Sequence, residues 1–353
     1  MVRMKTELCT MCTDKINNED MNRAAALIAA GELVAFPTET VYGLGGNALD
    51  TKAAERIYAA KGRPSDNPLI VHIAQISQLE EAARDIPEQA RRLAAAFWPG
   101  PLTMVLYRNE QVPLTTTGGL DTVAVRMPGH PVALELIRRS DCMIAAPSAN
   151  TSGRPSPTKA SHVVEDLSGR IPMILDGGTV GIGIESTIVD LTEPVPMILR
   201  PGYITAEAIA EVLGEQVILD PAILSEGGTG RPKAPGMRYR HYAPKAQMLI
   251  VSGTEEAVAE EINRRSACRR RAGGRVAVIA SEESADRYDA DVILTIGSRT
   301  DEDGIARRLY EILRQCDESG ADVIYSESFA TPRIGQAIMN RMLKAAGHQM
   351  IEV

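Results

Sequence analysis

The residues with chemical potential in this sequence are cations, hydroxyls and amides, gathered in short segments beside apolar runs. Lys61-Gly62-Arg63-Pro64, followed by Asn67-Pro68-Leu69, combines a point charge with a planar guanidinium fork. Both suit phosphate oxygens, although cations at a helix C-terminus also complement the helix dipole. Val123-Ala124-Val125-Arg126-Met127-Pro128 ends an apolar strand on an arginine, which is costly to bury without an anion. That anion is either a protein carboxylate or a substrate carboxylate. Ala145-Ala146-Pro147-Ser148-Ala149-Asn150-Thr151-Ser152-Gly153 offers hydroxyl and amide donors for phosphate oxygens, or a helix cap. Pro37-Thr38-Glu39-Thr40-Val41-Tyr42-Gly43-Leu44-Gly45 reads as a pocket for a small polar substrate or as a tight turn. Glu185-Ser186-Thr187-Ile188-Val189-Asp190 and Arg200-Pro201-Gly202 repeat the pairing of hydroxyls with an arginine. Trp98-Pro99-Gly100-Pro101-Leu102-Thr103 reads as a rigid structural corner.

Several chemistries find no support. There is no Walker A segment, so ATP would have to be held by discrete cations and hydroxyls. His72, His130, His162, His241 and His348 are scattered, and none has a second His or Cys at i+3 or i+4. No Ser-His-Asp or Cys-His order stands out, and no metal is indicated beyond the Mg²⁺ that accompanies a nucleotide. The net charge of −8 argues against a nucleic-acid binder overall but leaves room for a local basic groove. Five cysteines, an odd number at wide spacings, argue against a disulfide framework. Cys9 and Cys12 form a C-x-x-C, which is half a zinc site or a redox pair or, with no second Cys/His pair at finger spacing, two unpaired thiols in an N-terminal arm. No apolar run reaches the length of a bilayer span, and MVRMKTELCTMCTDK lacks a signal core, so a reducing cytoplasm is expected.

These segments need elements to position them. Hydrophobic periodicity, caps and breakers predict helices over 18–31 and 51–61, and over 77–97 apart from a break at Pro87. Strands are predicted over 33–36, 69–73, 102–107, 122–126, 143–146, 173–175, 187–190 and 197–199. Short strands with intervening helices give a mixed α/β sheet. Composition changes after Val217. Residues 226–246, EGGTGRPKAPGMRYRHYAPKA, form a basic Gly/Pro-rich linker: either a flexible tether or a lid over a polyanion. Beyond it, strands over 248–251, 276–280, 292–296 and 323–325 alternate with helices over 255–271, 303–315 and 335–346. This is the pattern of a smaller parallel, Rossmann-like α/β domain. The expected division is 1–217, linker 218–246, and 247–353.

The order PTETVYGLG, KGRP with NPL, WPGPLT, VAVRMP, APSAN-x-SG, STIVD and RPG resembles the YrdC-like family. With the linker and second domain, the chain is similar to the long, two-domain threonylcarbamoyl-adenylate synthases. The resemblance implies a YrdC-like mixed sheet and a nucleotidyltransferase that forms threonylcarbamoyl-AMP and pyrophosphate. Its substrates would be L-threonine, bicarbonate or CO₂, and ATP with loosely bound Mg²⁺. The amine of threonine would take up bicarbonate or CO₂, and the resulting carboxylate would attack the α-phosphate of ATP. Lys61 and Arg63 would be catalytic. ATP would be held by Lys61, Arg63, Asn67, Thr122, Ser148, Asn150, Ser156 (between Pro155 and Pro157), Arg200, Tyr239 and His241. Threonine would be held by Thr40, Tyr42, His72, Arg126, Ala146 and Ser186. The linker, through Tyr239, Arg240, His241 and Tyr242, would close over the site and exclude water. The second domain would support the lid or contact partners. The product would pass to a separate threonylcarbamoyl transferase that modifies the tRNA adenosine next to the anticodon, so tRNA is met only indirectly. A monomer with no membrane contact is expected. Two alternatives are a double-stranded RNA-binding module and carbamoyl transfer, as in hydrogenase maturation proteins. The negative charge weighs against the first. The lack of paired C-x-x-C motifs weighs against the second.

Overall fold

The structure is a computed structural model that describes residues 4–223, 233 and 242–353. The described residues divide into two compact units. The second takes in Gly153–Pro155, Ile182–Ile184 and the C-terminal stretch to Val353; the first takes in the rest.

The first unit is built on a 12-stranded mixed sheet. From one edge its order is Glu7–Thr10, Met173–Asp176, Val34–Phe36, Gly43–Asn47, Ile144–Ala145, Ile70–His72, Thr122–Arg126, Leu102–Arg108, Thr187–Asp190, Met197–Arg200, Ile218–Leu219. Ala83–Arg84 pairs beside Leu102–Arg108. The Asn18–Ala29 helix begins where the Asn17 side chain accepts from the amides of Glu19 and Asp20. It buries Met21, Ala24, Ala25 and Ile28, the i, i+3, i+4, i+7 stripe of a core-facing helix. Helices at Pro131–Ser140, Ala160–Leu167 and Ala206–Leu213 are further elements. The core gathers Leu44, Ile57, Leu69, Val71, Leu93, Leu102, Met104 and Val125 among others, so it is mainly aliphatic.

Three expectations are corrected. Residues 7–10 are not a loose arm: Glu7–Thr10 pairs in parallel with Met173–Asp176, and Cys9 is buried. The 43–47 segment is not a turn but a strand between Val34–Phe36 and Ile144–Ala145. Glycine is required there: a Cβ on Gly45 would lie 2.7 Å from both Ile144 and Phe36 side-chain carbons. A run of small residues carries no strand period, which is why the sequence conceals it. The helix expected from Ser77 stops at Ala82, before Pro87, because Ala83–Arg84 is drawn into the sheet.

The second unit is a five-stranded, all-parallel sheet in the order Val292–Thr295, Val276–Ala280, Val323–Glu327, Gln247–Ser252, Met350–Glu352. Helices Glu255–Arg271, Glu302–Glu318 and Gly335–Ala345 connect the strands. The last strand, Met350–Glu352, has no counterpart in the sequence reading. Three half-exposed or exposed residues at a sheet edge carry no apolar pattern.

Candidate active site

The Thr51–Lys61 helix positions the first cations. Asp50 caps its start, and Gly62 ends it in the left-handed conformation at φ 62°. The Arg63 amide then reaches back to the Tyr58 carbonyl at 2.9 Å, closing a six-to-one C-terminal loop. Lys61 is thereby buried, and Arg63 leaves the helix at a fixed angle. Arg63 donates to the carbonyls of Asn67 (3.3 Å) and Pro68 (3.0 Å), binding the KGRP segment to NPL. The Lys61 ammonium donates to the carbonyls of Ser148 and Asn150, and at 3.4 Å to Asn150 Oδ1. Ser148 Oγ donates to the same Asn150 oxygen at 2.6 Å. Burial, with the neighbouring Arg63 charge, pushes the Lys61 ammonium well below the ordinary lysine value. A triphosphate arriving here would reverse that shift.

The Asn67 Oδ1 and Thr122 Oγ1 atoms are buried, and neither has a hydrogen-bond partner among the described residues. The pairing of Ile70 with Ala124 sets Thr122 level with Pro68, so both polar atoms lie at the same end of these strands as Arg63. Each is a buried polar atom able to take a hydrogen bond from a water or a ligand group.

Four residues along the Thr122–Arg126 strand, about 13 Å away, lies a second cluster. His72 pairs in register with Arg126. The antiparallel pairing of Met104 with Val125 sets Thr103 opposite Arg126. Thr103 in turn hydrogen-bonds Ser186 at 2.7 Å. His72, Arg126, Thr103 and Ser186 thus form a row on one face of the sheet, because registered neighbours point the same way. Arg200, paired with Ile188, joins it and donates to the Ser186 carbonyl (3.0 and 3.1 Å) and Oγ (3.1 Å). Ile70, Val105, Ala124 and Ile188 make an apolar floor on this face.

Arg126 is held from three sides. Its Nε donates to the Gly100 carbonyl (3.2 Å), and one terminal nitrogen to Thr40 Oγ1 (3.0 Å). The other pairs with Glu39 Oε1 at 2.7 Å. The Trp98–Thr103 corner therefore does more than turn the chain: its Gly100 carbonyl orients the arginine. Burial is the largest influence on Glu39 and opposes its ionisation, yet the Arg126 charge, the Arg126 hydrogen bond and the Gly129 and Glu39 amides together outweigh it and hold the carboxyl below its usual value. Burial, then the Arg126 charge, lowers His72 to about 3, so its ring is neutral at physiological pH. His72 Nδ1 lies 3.1 Å from the Ile70 carbonyl.

Other expected site residues take more structural positions. The Tyr42 hydroxyl donates to the Gly178 carbonyl at 2.7 Å and accepts from the Gly177 amide at 3.2 Å, so it secures the 176–178 turn. Burial pushes its phenol up, with Asp176 adding to the shift. The Ala146 amide donates to the Ile70 carbonyl at 2.8 Å, and Ser156 Oγ to Glu185 at 2.6 Å. Tyr239, Arg240 and His241 lie outside the described residues. Tyr242 is buried at φ 62°, its ring centroid 5.0 Å from that of Tyr310. Sequence reasoning did not single out Glu39, Thr103 or Gly100 as site residues. The signal for Glu39 was the unpaired strand-end arginine, which demanded a carboxylate.

Two family models account for nearly the whole chain. One, described as telomere recombination and named for Sua5, YciO and YrdC, matches residues 26–202. The other, the threonylcarbamoyl-AMP synthase C-terminal domain, matches residues 204–347. The chain therefore belongs to the Sua5–YciO–YrdC family, in its long form with two domains. It is 51% identical over 340 residues to the threonylcarbamoyl-AMP synthase of Pyrococcus abyssi, covering 96% of this chain and 98% of that one. To the Bacillus subtilis protein of the same name it is 49% identical over 342 residues, covering 96% and 97%. The crystal structure of P. abyssi Sua5 complexed with L-threonine superposes with a TM-score of 0.93 at 49% identity, covering 98% of this chain and 99% of that one.

Proposed function

We propose that this chain is an L-threonylcarbamoyladenylate synthase, a nucleotidyltransferase acting on L-threonine, bicarbonate or CO₂, and ATP. The observation that carries the reading is near-complete, roughly half-identical alignment to synthases of that name over both domains. The two polar clusters at opposite ends of the Thr122–Arg126 strand fit its two large substrates.

Arg126 takes the threonine carboxylate, with Glu39, Gly100 and Thr40 fixing the guanidinium before substrate arrives. Neutral His72 and the Thr103–Ser186 hydroxyl pair line the pocket without adding charge. The neutral amine nitrogen bonds to the carbon of CO₂, whose C=O π electrons move to oxygen while the nitrogen loses a proton to solvent, giving a carbamate; starting from bicarbonate, a C–O bond breaks and water leaves as the N–C bond forms. A carbamate oxygen attacks the α-phosphorus of ATP, and the bond to the bridging oxygen breaks to release pyrophosphate. Such a step is accelerated chiefly by positioning and charge neutralisation. Lys61 and Arg63 supply the cations, and Ser148, Asn150, Asn67 and Thr122 the hydrogen bonds. Arg200 supports Ser186. Mg²⁺ would enter as part of the ATP substrate and would help to neutralise the triphosphate charge. The enzyme works as a cytoplasmic monomer that hands its product to a transferase acting on tRNA. No helix among the described residues is long and apolar enough to cross a membrane.

The deciding experiment is pyrophosphate release from ATP by the purified chain, with each co-substrate omitted in turn. Release that needs both L-threonine and bicarbonate is expected. Release independent of threonine, or none, overturns the reading.

A further inference from the structure

The second unit contains a cavity of about 240 Å³, lined by residues from the carboxyl ends of its strands. Ser252 and Gly253 end one strand, Glu327 and Ser328 another. Ser284 and Tyr288 follow the Val276–Ala280 strand, and Arg299 follows Val292–Thr295. The connections leaving the neighbouring Val276–Ala280 and Val323–Glu327 strands run to opposite edges of the sheet. Open parallel sheets bind their ligands at such a divergence.

The wall is a prepared polar network. Glu327 is 1% exposed and accepts from Ser284 Oγ, from Tyr288 OH (2.6 Å), from the Ser281 amide (3.2 Å) and from Arg299. Arg299 also donates to the Ser328 carbonyl at 3.2 Å and lies over the Phe329 ring at 5.4 Å. Its Nε–H has no acceptor among the described residues. Glu255 lines the same cavity. A carboxylate already met by four donors serves to fix the arginine, leaving the guanidinium as the cationic feature of the wall; Glu255, which also meets Arg287 at 3.4 Å in a half-exposed and therefore weak ion pair, is the anionic one.

The chemistry disfavours a phosphate ligand. The loop before the Glu255–Arg271 helix has one glycine, and Glu255 and Glu256 occupy the first turn where a phosphate would sit. We propose that this cavity is a second ligand site, one that takes a free α-amino acid as its zwitterion. The ligand carboxylate meets Arg299, its ammonium meets Glu255, and the Ser252 and Ser328 hydroxyls complete the polar contacts. The volume suits a molecule of that size. The site is independent of the synthase reading and shares no residue with it.

The test is hydrogen–deuterium exchange of the full chain with each proteinogenic L-amino acid in turn, and with inorganic phosphate and ATP as controls. The expected result is that at least one amino acid protects the amides of 252–255, 281–284 and 327–330. Arg299→Gln should then weaken that protection about ten-fold or more, as loss of a charge-assisted contact implies. Glu255→Gln, which leaves the Glu327 network intact, should weaken it in the same direction should Arg299→Gln not fold. Protection confined to the Thr40–Arg126 pocket, protection by phosphate or ATP instead, or protection unchanged in both variants would each overturn the proposal.

Discussion

Each sheet ends in an arginine–glutamate pair, and the two pairs are arranged in opposite senses. In the first unit Arg126 is the buried partner, its side chain 5% exposed against 18% for Glu39. In the second unit Glu327 is buried at 1%, and Arg299 is 32% exposed. Glu327 is saturated by four donors, so its pair is a finished structural unit that presents a cation outward. Arg126 is pinned by a carbonyl, a hydroxyl and one carboxylate, all close to groups that suit an amino acid. A buried arginine with a single counter-charge pays a desolvation cost that a well-packed core would avoid. That cost is reasonable where a second carboxylate is to be bound.

The comparison can be broken at several points. The largest expected effect is from Arg126→Ala. It should abolish threonine-dependent pyrophosphate release and leave Glu39 buried without its cation, at about 3–5 kcal/mol of stability. Steady-state assays and thermal unfolding of the same preparation check both halves. A variant that keeps full activity would show that Arg126 is structural only. Next, Lys61→Met should lower kcat/KM by about 10²–10³-fold, the range for loss of a charge-stabilising donor. The loop at 148–150 should also become more susceptible to exchange, since Lys61 joins its carbonyls.

Smaller effects concern protons. His72 in the folded chain titrates at about 3, below its unfolded value near 6.5. Only the unfolded chain takes up that proton in between, so stability falls as pH drops from 6.5 towards 3. The slope reaches about 1.4 kcal/mol per pH unit. Unfolding midpoints against pH check this, and His72→Gln should flatten the slope; an unchanged slope would refute the assignment. Glu39 acts in a lower window. Its folded value is depressed, so its stabilisation is present above the ordinary carboxyl range and lost as pH falls through the folded value. Glu39→Gln should remove that step and raise the KM for threonine more than it lowers kcat, because Glu39 orients Arg126.

Much of this was legible without a fold. The Thr51–Lys61 helix with its Gly62 stop, the Thr122–Arg126 strand and the Glu255–Arg271 helix are written in caps, breakers and period, and the structure places them within those bounds. So are the cations, hydroxyls and amides of the site, because the types of side chain that hold phosphate and carboxylate are few. Local sequence determines these because its causes are local: a capping oxygen, a glycine at positive φ, a side chain two or four residues away.

The tertiary structure alone decided the rest. Gly43–Asn47 is a strand because two neighbours close on it, and Glu7–Thr10 because Met173–Asp176 offers it an edge. The row His72, Arg126, Thr103, Ser186 exists only through strand register, between residues up to 114 positions apart. Glu39 gained its role from Arg126, and Tyr42 was directed to the 176–178 turn instead of an open pocket. A one-dimensional chain specifies which groups are available, but register and burial decide which of them meet, since both depend on partners that local sequence does not contain.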